Sequence, residues 1–274
     1  MAYTLRRKLL NDPLEDNNLT TTRRIKRGWM KLKVTQIIKE SPNAVTVMLE
    51  DEELGSRQFD FTAGQYLTFR FDDLTAKPIV RSYTISSSPN QLDHVAITVK
   101  TVEQGIVSHY FCEQLKVGDT LRARGPIGKF VYDPKEYHPH LVMIAAGSGV
   151  TPFISILREY ADKLEQHPSL QSMSLLVSFQ TQKDILCHEV IEQLRETKGV
   201  HIQTTLSREK SSDLNKHWQG RIDEQKIHDF IGPNGYQQKT YMICGPQDMM
   251  DNVAKHLLAN QVESNHIRTE SYDN

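Results

Sequence analysis

From about Trp29 to Asp133 the apolar positions come in short runs separated by turn residues. Lys31–Ile38, Val45–Leu49, Gln65–Phe71, Val95–Val99 and Thr120–Arg124 each have the length and β-rich composition of a strand, and Pro42–Asn43, Lys116–Asp119 and Gly125–Pro126 punctuate them. This spacing predicts an antiparallel sandwich or barrel, with one short helix near Ser108–Leu115. From His140 the texture changes. The apolar runs Leu141–Ala145, Leu175–Phe179, Val200–Leu206 and Tyr241–Cys244 alternate with helical patterns over Pro152–Leu164, His188–Glu196 and Asp248–Leu258. Continuous apolar strands alternating with helices predict a parallel sheet covered on both faces. The segment DPKEYHPH, residues 133–140, marks the change, so the expected division is an arm at 1–28, a β domain at 29–136 and an α/β domain at 137–274.

One stretch breaks the pattern. Residues 81–89 read RSYTISSSP, neither a doubly buried strand nor a charged surface strand. Arg81 can hold a phosphate, Tyr83 offers a flat face with a polar tip, and the hydroxyls of Ser82 and Thr84 can bond ring nitrogens. Together they suit the phosphate and the ring system of a flavin. Gly105–Ser108 (GIVS) then places a glycine and a hydroxyl at a helix start, a second phosphate cradle.

In the α/β half, AAGSGVTP at 145–152 lies directly after a strand and before a helix. Glycines let the backbone approach a phosphate, and a helix start supplies free N–H groups. The usual dinucleotide fingerprint has a third glycine where Pro152 stands, and an acidic residue ending the second strand, where this chain has Ser178-Phe179-Gln180-Thr181. A standard NAD-linked dehydrogenase is therefore disfavoured. Ser207 and Arg208 follow the third apolar run and Arg221 follows a loop, a set that suits a 2′-phosphate. Cys244-Gly245-Pro246 repeats the logic of strand end, small residue and helix start.

Charge and cysteine usage narrow the function classes. The formal charge of −1 gives no global attraction to nucleic acid or membrane. Residues 1–33 carry nine Lys/Arg against three Asp/Glu, so the remainder carries 24 against 31. Cys112, Cys187 and Cys244 lie far apart, too few and too scattered for a four-cysteine cluster or a disulfide framework. No metal is expected, His138 and His140 being the only close histidine pair. There is no apolar run of signal-peptide or membrane-spanning length, so a cytoplasmic, soluble protein is expected.

With these motifs in place, the chain resembles the ferredoxin–NADP reductase family, which couples a flavin-binding β-barrel to a nicotinamide-binding α/β domain. The matching motifs, in family order, are R-x-Y-T at Arg81–Thr84, T-V-K at Thr98–Lys100, G-x-V-S at Gly105–Ser108, GPIGKF at Gly125–Phe130, G-x-G-x-x-P at Gly147–Pro152, CGP at Cys244–Pro246 and E-x-Y at Glu270–Tyr272. They cover about residues 30 to 274.

The resemblance implies FAD and NADP (or NAD) as cofactors. Arg81 and Lys100 would serve the flavin diphosphate, Tyr83 would lie against the isoalloxazine and Thr84 would reach its N5 region. Ser82, Thr98 and Val99 join the cofactor-binding set, and Gly105, Ile106, Val107 and Ser108 would cap the pyrophosphate. Gly147, Ser148, Gly149, Thr151 and Pro152 would hold the NAD(P) pyrophosphate, with Ser207, Arg208 and Arg221 at the 2′ position. Cys244, with Gly245 and Pro246, and Glu270 would sit near the point of hydride transfer, and Tyr272 would cover the flavin face that nicotinamide must occupy. The implied partner is a separate small redox protein, such as ferredoxin, flavodoxin or an iron–sulfur component, since the chain has neither the cluster nor the haem domain of many relatives. A monomer is expected. Two other readings stay open: a non-catalytic nucleotide-binding subunit for redox sensing or assembly, and a reductase of free flavin.

Overall fold

The structure is a computed structural model and describes residues 28–53, 60–91, 94–161, 164, 169–210, 217–232 and 235–272. Apart from Gly28, the expected basic arm lies outside these residues. Contacts divide the chain into two units: one ends at Lys39 and resumes over Ala44–Val131, and the other holds Glu40–Asn43 and the chain from Tyr132 on.

The first unit contains strand β1 (Met30–Ser41) as far as Lys39, with β2 (Ala44–Asp51), β3 (Tyr66–Phe71), β4 (Ile79–Thr84), β5 (Val95–Lys100) and β6 (Thr120–Ile127). They form one sheet in the order β4-β3-β6-β1-β2-β5. The two end strands meet again just past β4, where Ile85 bridges Ile97 and the Ser86 N–H donates to the Ala96 carbonyl at 2.7 Å. The sheet therefore closes into a barrel. β1 and β6 show why: Met30, Leu32 and Val34 are buried between exposed Lys31 and Lys33, and Leu121 and Ala123 are buried between exposed Arg122 and Arg124. One face of each strand is apolar, and closure is how a sheet with one apolar face removes its edges.

A short helix α1 (Ile106–His109) continues as a π turn over Tyr110–Gln114. It carries Phe111 into the barrel core, where that ring meets Phe69, Phe71 and Tyr83 edge-on at 5.7, 5.8 and 5.1 Å. Truncating a buried ring of this kind costs about 3–5 kcal/mol, so α1 is held by its side chain in the core rather than by its own short helix.

The second unit is a six-stranded sheet of β7 (His140–Ala146), β8 (Ser172–Phe179), β9 (Val200–Leu206), β10 (His217–Gln219), β11 (Lys239–Cys244) and β12 (Ile267–Glu270). Its order is β10-β9-β8-β7-β11-β12 and every pairing is parallel. Its helices are α2 (Thr151–Tyr160), α3 (His188–Arg195), α4 (Glu224–Ile231) and α5 (Gln247–Ala259). On one face, Val142, Ile144, Leu176, Tyr241 and Ile243 pack with Ile227 and Phe230 of α4 and with Met250, Val253 and Leu257 of α5. Their buried neighbours Leu141, Met143 and Leu175 alternate to the other face. None of the described helices is long and apolar enough to cross a membrane.

The contacts divide the chain at 131/132, five residues before the boundary that composition suggests. The cause is Tyr132, almost fully buried, whose hydroxyl donates to the His138 carbonyl at 2.9 Å and whose own carbonyl accepts from Tyr160 at 3.3 Å. The His138 N–H is taken by Thr240 Oγ1 at 3.0 Å. The polar segment DPKEYHPH is thus tied to the parallel sheet despite its linker-like composition.

Candidate functional site

In the barrel unit the site residues lie on β4, the end strand of the sheet. β3 pairs with one edge of it, Phe69 opposite Arg81 and Leu67 opposite Tyr83. On its other edge no described strand pairs with Arg81–Thr84, because contact with β5 begins only at Ile85. That edge offers backbone groups as well as side chains to a ligand. Arg81 is exposed, has no ion-pair partner among the described residues, and donates only to the neighbouring Val80 carbonyl, at 2.8 Å. Ser82 shares a hydrogen bond with Thr68 across the strands at 3.0 Å. Tyr83 is half-buried on Phe111 and Phe69, and burial holds its phenol well above the ordinary range. Thr84 is buried.

Two parts of the expected flavin set change role. Of Thr98-Val99-Lys100, the first two side chains are taken up inside the barrel. Thr98 Oγ1 bonds Thr46 at 2.8 Å and Ser86 at 3.0 Å, and Val99 belongs to the core. Only Lys100, at the strand's end, reaches partly into solvent. In Gly105–Ser108, the buried Ser108 hydroxyl donates to the Gly105 carbonyl at 2.9 Å and accepts from the Val102 N–H at 3.2 Å. It closes the turn, and Val107 joins the core. A Cβ on Gly105 would overlap Val102 and that hydroxyl. What the turn offers a ligand is therefore the first N–H groups of α1, which have no intrahelical acceptor.

In the second unit the site lies where the strand order reverses. From β7 the chain runs outward through β8, β9 and β10, then returns to add β11 and β12 on the other side. Such a reversal leaves a crevice at the carboxyl ends of the two central strands, here Ala146 of β7 and Cys244 of β11. Gly147–Val150 form one tight turn before α2, and Pro152 falls in that helix's first turn, where a proline loses no hydrogen bond. Gly147 has a left-handed φ of 55°, and a side chain there would meet nothing within 4 Å. Gly149 is the opposite case, since a Cβ would overlap the Cys244 carbonyl. The first glycine opens the turn outward, and the second lets it pack against β11. Thr151 Oγ1 donates to the Ser148 carbonyl at 2.9 Å and fixes the turn.

The expected transfer residues gather at the same crevice. Cys244 stands directly opposite Glu270 across the β11–β12 ladder. The Tyr272 hydroxyl lies 3.3 Å from Thr151 Oγ1 and is hydrogen-bonded to the Cys244 thiol. Burial pushes that thiol up to about 12, with the nearby Glu270 carboxylate adding to the rise and the Tyr272 bond opposing it. Such a thiol is a packed wall rather than a nucleophile. Burial pushes the Glu270 carboxyl up to about 7, the field of Arg268 working against it, and its Oε2 is buried without a hydrogen-bond partner. A buried carboxyl oxygen left unmatched is costly.

The Ser207, Arg208 and Arg221 set is brought together by β10, a three-residue strand invisible in the sequence pattern. Gln219 pairs with Leu206, and the Gly220 N–H donates to the Leu206 carbonyl at 2.8 Å, so Arg221 leaves the sheet beside Ser207 and Arg208. Both arginines are exposed. Pattern reading also missed Arg268 and Tyr137. Neither belongs to a motif, and they are 131 residues apart in sequence.

Residues 31–132 match the model of an oxidoreductase FAD-binding domain and residues 143–255 that of an oxidoreductase NAD-binding domain. The chain belongs to the ferredoxin–NADP reductase family. It is 26% identical over 251 residues to a flavohemoprotein of Xylella fastidiosa, covering 89% of this chain and 59% of that one. It is 28% identical over 260 residues to the glycine betaine monooxygenase reductase subunit of Chromohalobacter salexigens, covering 93% and 67%. The chain thus spans about three fifths to two thirds of these relatives. Among solved structures it is similar to the flavohem-like FAD/NAD-binding domain of a Vibrio cholerae nitric oxide dioxygenase, with a TM-score of 0.77, 26% identity and coverage of 88% of this chain and 98% of that one. The residues present fit both cofactors: an arginine without a carboxylate on an open strand edge, and a glycine turn with open space before it at a strand-order reversal.

Proposed function

We propose that this protein passes electrons from NAD(P)H through FAD to a separate redox protein. The observation that carries this reading is the convergence of the Gly147–Pro152 turn, Cys244, Glu270 and Tyr272 at one crevice. When bound, FAD supplies the exchange between a two-electron donor and one-electron acceptors. The chain's own residues bind, orient and exclude water. Arg81 and Lys100 hold the flavin diphosphate with the α1 N–H groups, and Tyr83 and Thr84 serve the ring system. The backbone of Gly147–Gly149, with Thr151 and Pro152 opening α2, holds the nicotinamide nucleotide's pyrophosphate. Cys244 walls the nicotinamide position, Glu270 offers it a carboxyl, and Tyr272 occupies it until displaced. No strong acid or base is required, which agrees with a site whose one cysteine is a buried thiol of high pKa.

The acceptor is a small redox protein such as a ferredoxin, a flavodoxin or an iron–sulfur component. The reductase subunit among its relatives supports this class. FAD is preferred over FMN because the Gly105–Ser108 turn suits a pyrophosphate. The test is whether the purified protein carries about one non-covalent FAD through gel filtration and reduces an artificial dye with NAD(P)H. A colourless protein that FAD and FMN cannot reconstitute would sink the reading, and flavin lost on the column would favour the free-flavin reductase.

Ser207, Arg208 and Arg221 further support NADPH as the donor. Charge-assisted phosphate contacts of about 1.5–3 kcal/mol give roughly 10- to 100-fold higher efficiency with NADPH than with NADH. Replacing both arginines with alanine should erase that ratio in steady-state kinetics, and an equal or better wild-type efficiency with NADH would overturn the assignment.

A further inference from the structure

Arg268 and Glu270 lie two apart on β12 and so on one face of the strand. A guanidinium beside a buried carboxylate ordinarily closes a charge-assisted bond, the stronger kind of hydrogen bond. Here it does not. Arg268 Nη1 donates to the Tyr137 hydroxyl, and its guanidinium stands over the Tyr137 ring, 5.1 Å from the centroid. Glu270 Oε2 is left buried without a hydrogen bond.

Tyr137 is a fixed anchor. Its ring stacks on Tyr132 at 5.8 Å and 23°, and Tyr132 is held in turn by the edge of Tyr160 at 5.9 Å and by its bond to the His138 carbonyl. The segment that composition marks as a linker thus reaches the edge of the sheet and takes hold of Arg268, the cation whose field acts on Glu270.

We propose that Tyr137 is a positioning residue for Glu270: by holding the Arg268 guanidinium on its ring and hydroxyl, it prevents an Arg268–Glu270 ion pair and keeps the Glu270 carboxyl open to the crevice. This rests on the reading that Glu270 faces the nicotinamide. The groups facing Glu270 are Arg268 on its own strand, the Cys244 thiol on β11 and, beyond the strand end, the Tyr272 phenol bonded to that thiol. Arg268 acts on Glu270 through its field alone, and burial prevails, pushing the carboxyl up to about 7. A carboxyl that keeps its proton near neutral pH both donates and accepts, as an amide group such as a nicotinamide carboxamide requires. An ionised one only accepts, and one paired with arginine is already spent.

The test is a 13C NMR titration of the side-chain carboxyls in glutamate-labelled holoprotein, with the Glu270 signal assigned by Glu270→Gln. In Tyr137→Phe the ring and its stacking remain, but the hydroxyl acceptor is gone and Arg268 can turn to the carboxylate. The Glu270 midpoint should fall by about one unit or more. Arg268→Met should raise it. In the Tyr137→Phe/Arg268→Met double variant the fall should vanish, because Tyr137 acts only through Arg268. A Glu270 midpoint unmoved by Tyr137→Phe, or one that falls equally without Arg268, overturns the proposal. The pH profile of kcat/KM for NAD(P)H should shift with the titration. A midpoint that moves while the profile stays supports the restraint and counts instead against Glu270 lying at the nicotinamide.

Discussion

β4 in the barrel and the β7–α2 turn in the parallel sheet carry the two candidate sites, and a ligand would meet different things at each. On β4 it meets side chains beside the open backbone edge: an exposed arginine, a hydroxyl bonded across the strands and a half-buried aromatic. At the turn it meets backbone, because Gly147 faces open space and Gly149 leaves no room for a side chain against Cys244. The contrast follows from sheet geometry. An antiparallel strand at an open edge displays its side chains along its length. Parallel strands converge at their carboxyl ends, where the useful groups are the N–H groups opening a helix, and these are reached only where side chains are missing. Mutations should therefore act differently in the two units, through overlap and backbone strain in one and through lost contacts in the other.

The sharpest break of that contrast is Gly149→Ala. The added methyl overlaps a backbone carbonyl that has no rotamer to escape into, so the crevice must spread, at a cost of about 3 kcal/mol. Thermal denaturation should show the loss, and nucleotide affinity should fall with it. Gly147→Ala, free of overlap but at a left-handed φ, should cost only about 1–2 kcal/mol. Equal effects at the two glycines would mean that close approach to β11 is not what the second one provides. In the barrel, Arg81→Ala should leave the melting temperature of the apoprotein nearly unchanged while weakening FAD retention by roughly 10- to 100-fold, the equivalent of about 1.5–3 kcal/mol. A drop in apoprotein stability with FAD binding intact would reverse the assignment of that residue.

Smaller effects are expected at the crevice. Tyr272→Ser removes a ring whose displacement costs about 0.5–1.5 kcal/mol, so nicotinamide binding should tighten by up to about tenfold and the flavin's visible spectrum should change. It also removes the hydroxyl bonded to the Cys244 thiol, so that thiol should ionise even less readily. An unaltered spectrum with unaltered affinity would place this ring away from the flavin.

The last expected effect is a pH slope. Burial raises the folded-state value of Glu270 from its ordinary 4.5 to about 7. Between those two values the folded protein holds a proton that the unfolded chain has released, so this group makes stability fall as pH rises through the window. Glu270→Gln should flatten that part of the stability–pH curve, and an unchanged slope would mean the carboxyl is ionised throughout.

Much of the fold was legible because burial imposes a pattern. The run at Leu141–Ala145 is apolar throughout since the parallel sheet is covered on both faces, and it appears as β7 with one residue added at each end; Val200–Leu206 appears as β9 residue for residue, with Val200, Ile202 and Leu206 among His201, Gln203, Thr204 and Thr205. Three elements gave no such signal. β10 is only His217–Gln219, β12 is the polar Ile267–Glu270, and α4 buries just Ile227 and Phe230 in eight residues. Thr98 and Ser108 stood in binding motifs yet spend their hydroxyls on neighbouring residues. A hydroxyl's partner depends on what the fold places within 3 Å, and sequence spacing does not report that.

The sequence by itself determined what is local and periodic: which runs are strands, where glycine and proline must break them, and which side chains and turns suit a phosphate or a flat ring. Those follow from backbone sterics and hydropathy within a few residues. Only the tertiary structure decided what is convergent. It set Glu270 across from Cys244, carried Tyr272 back to Thr151, brought Arg221 out beside Arg208, and gave Arg268 to Tyr137 rather than to its neighbour Glu270. Each of these joins distant parts of the chain or chooses between competing partners, and that choice depends on the burial and fields of the folded protein.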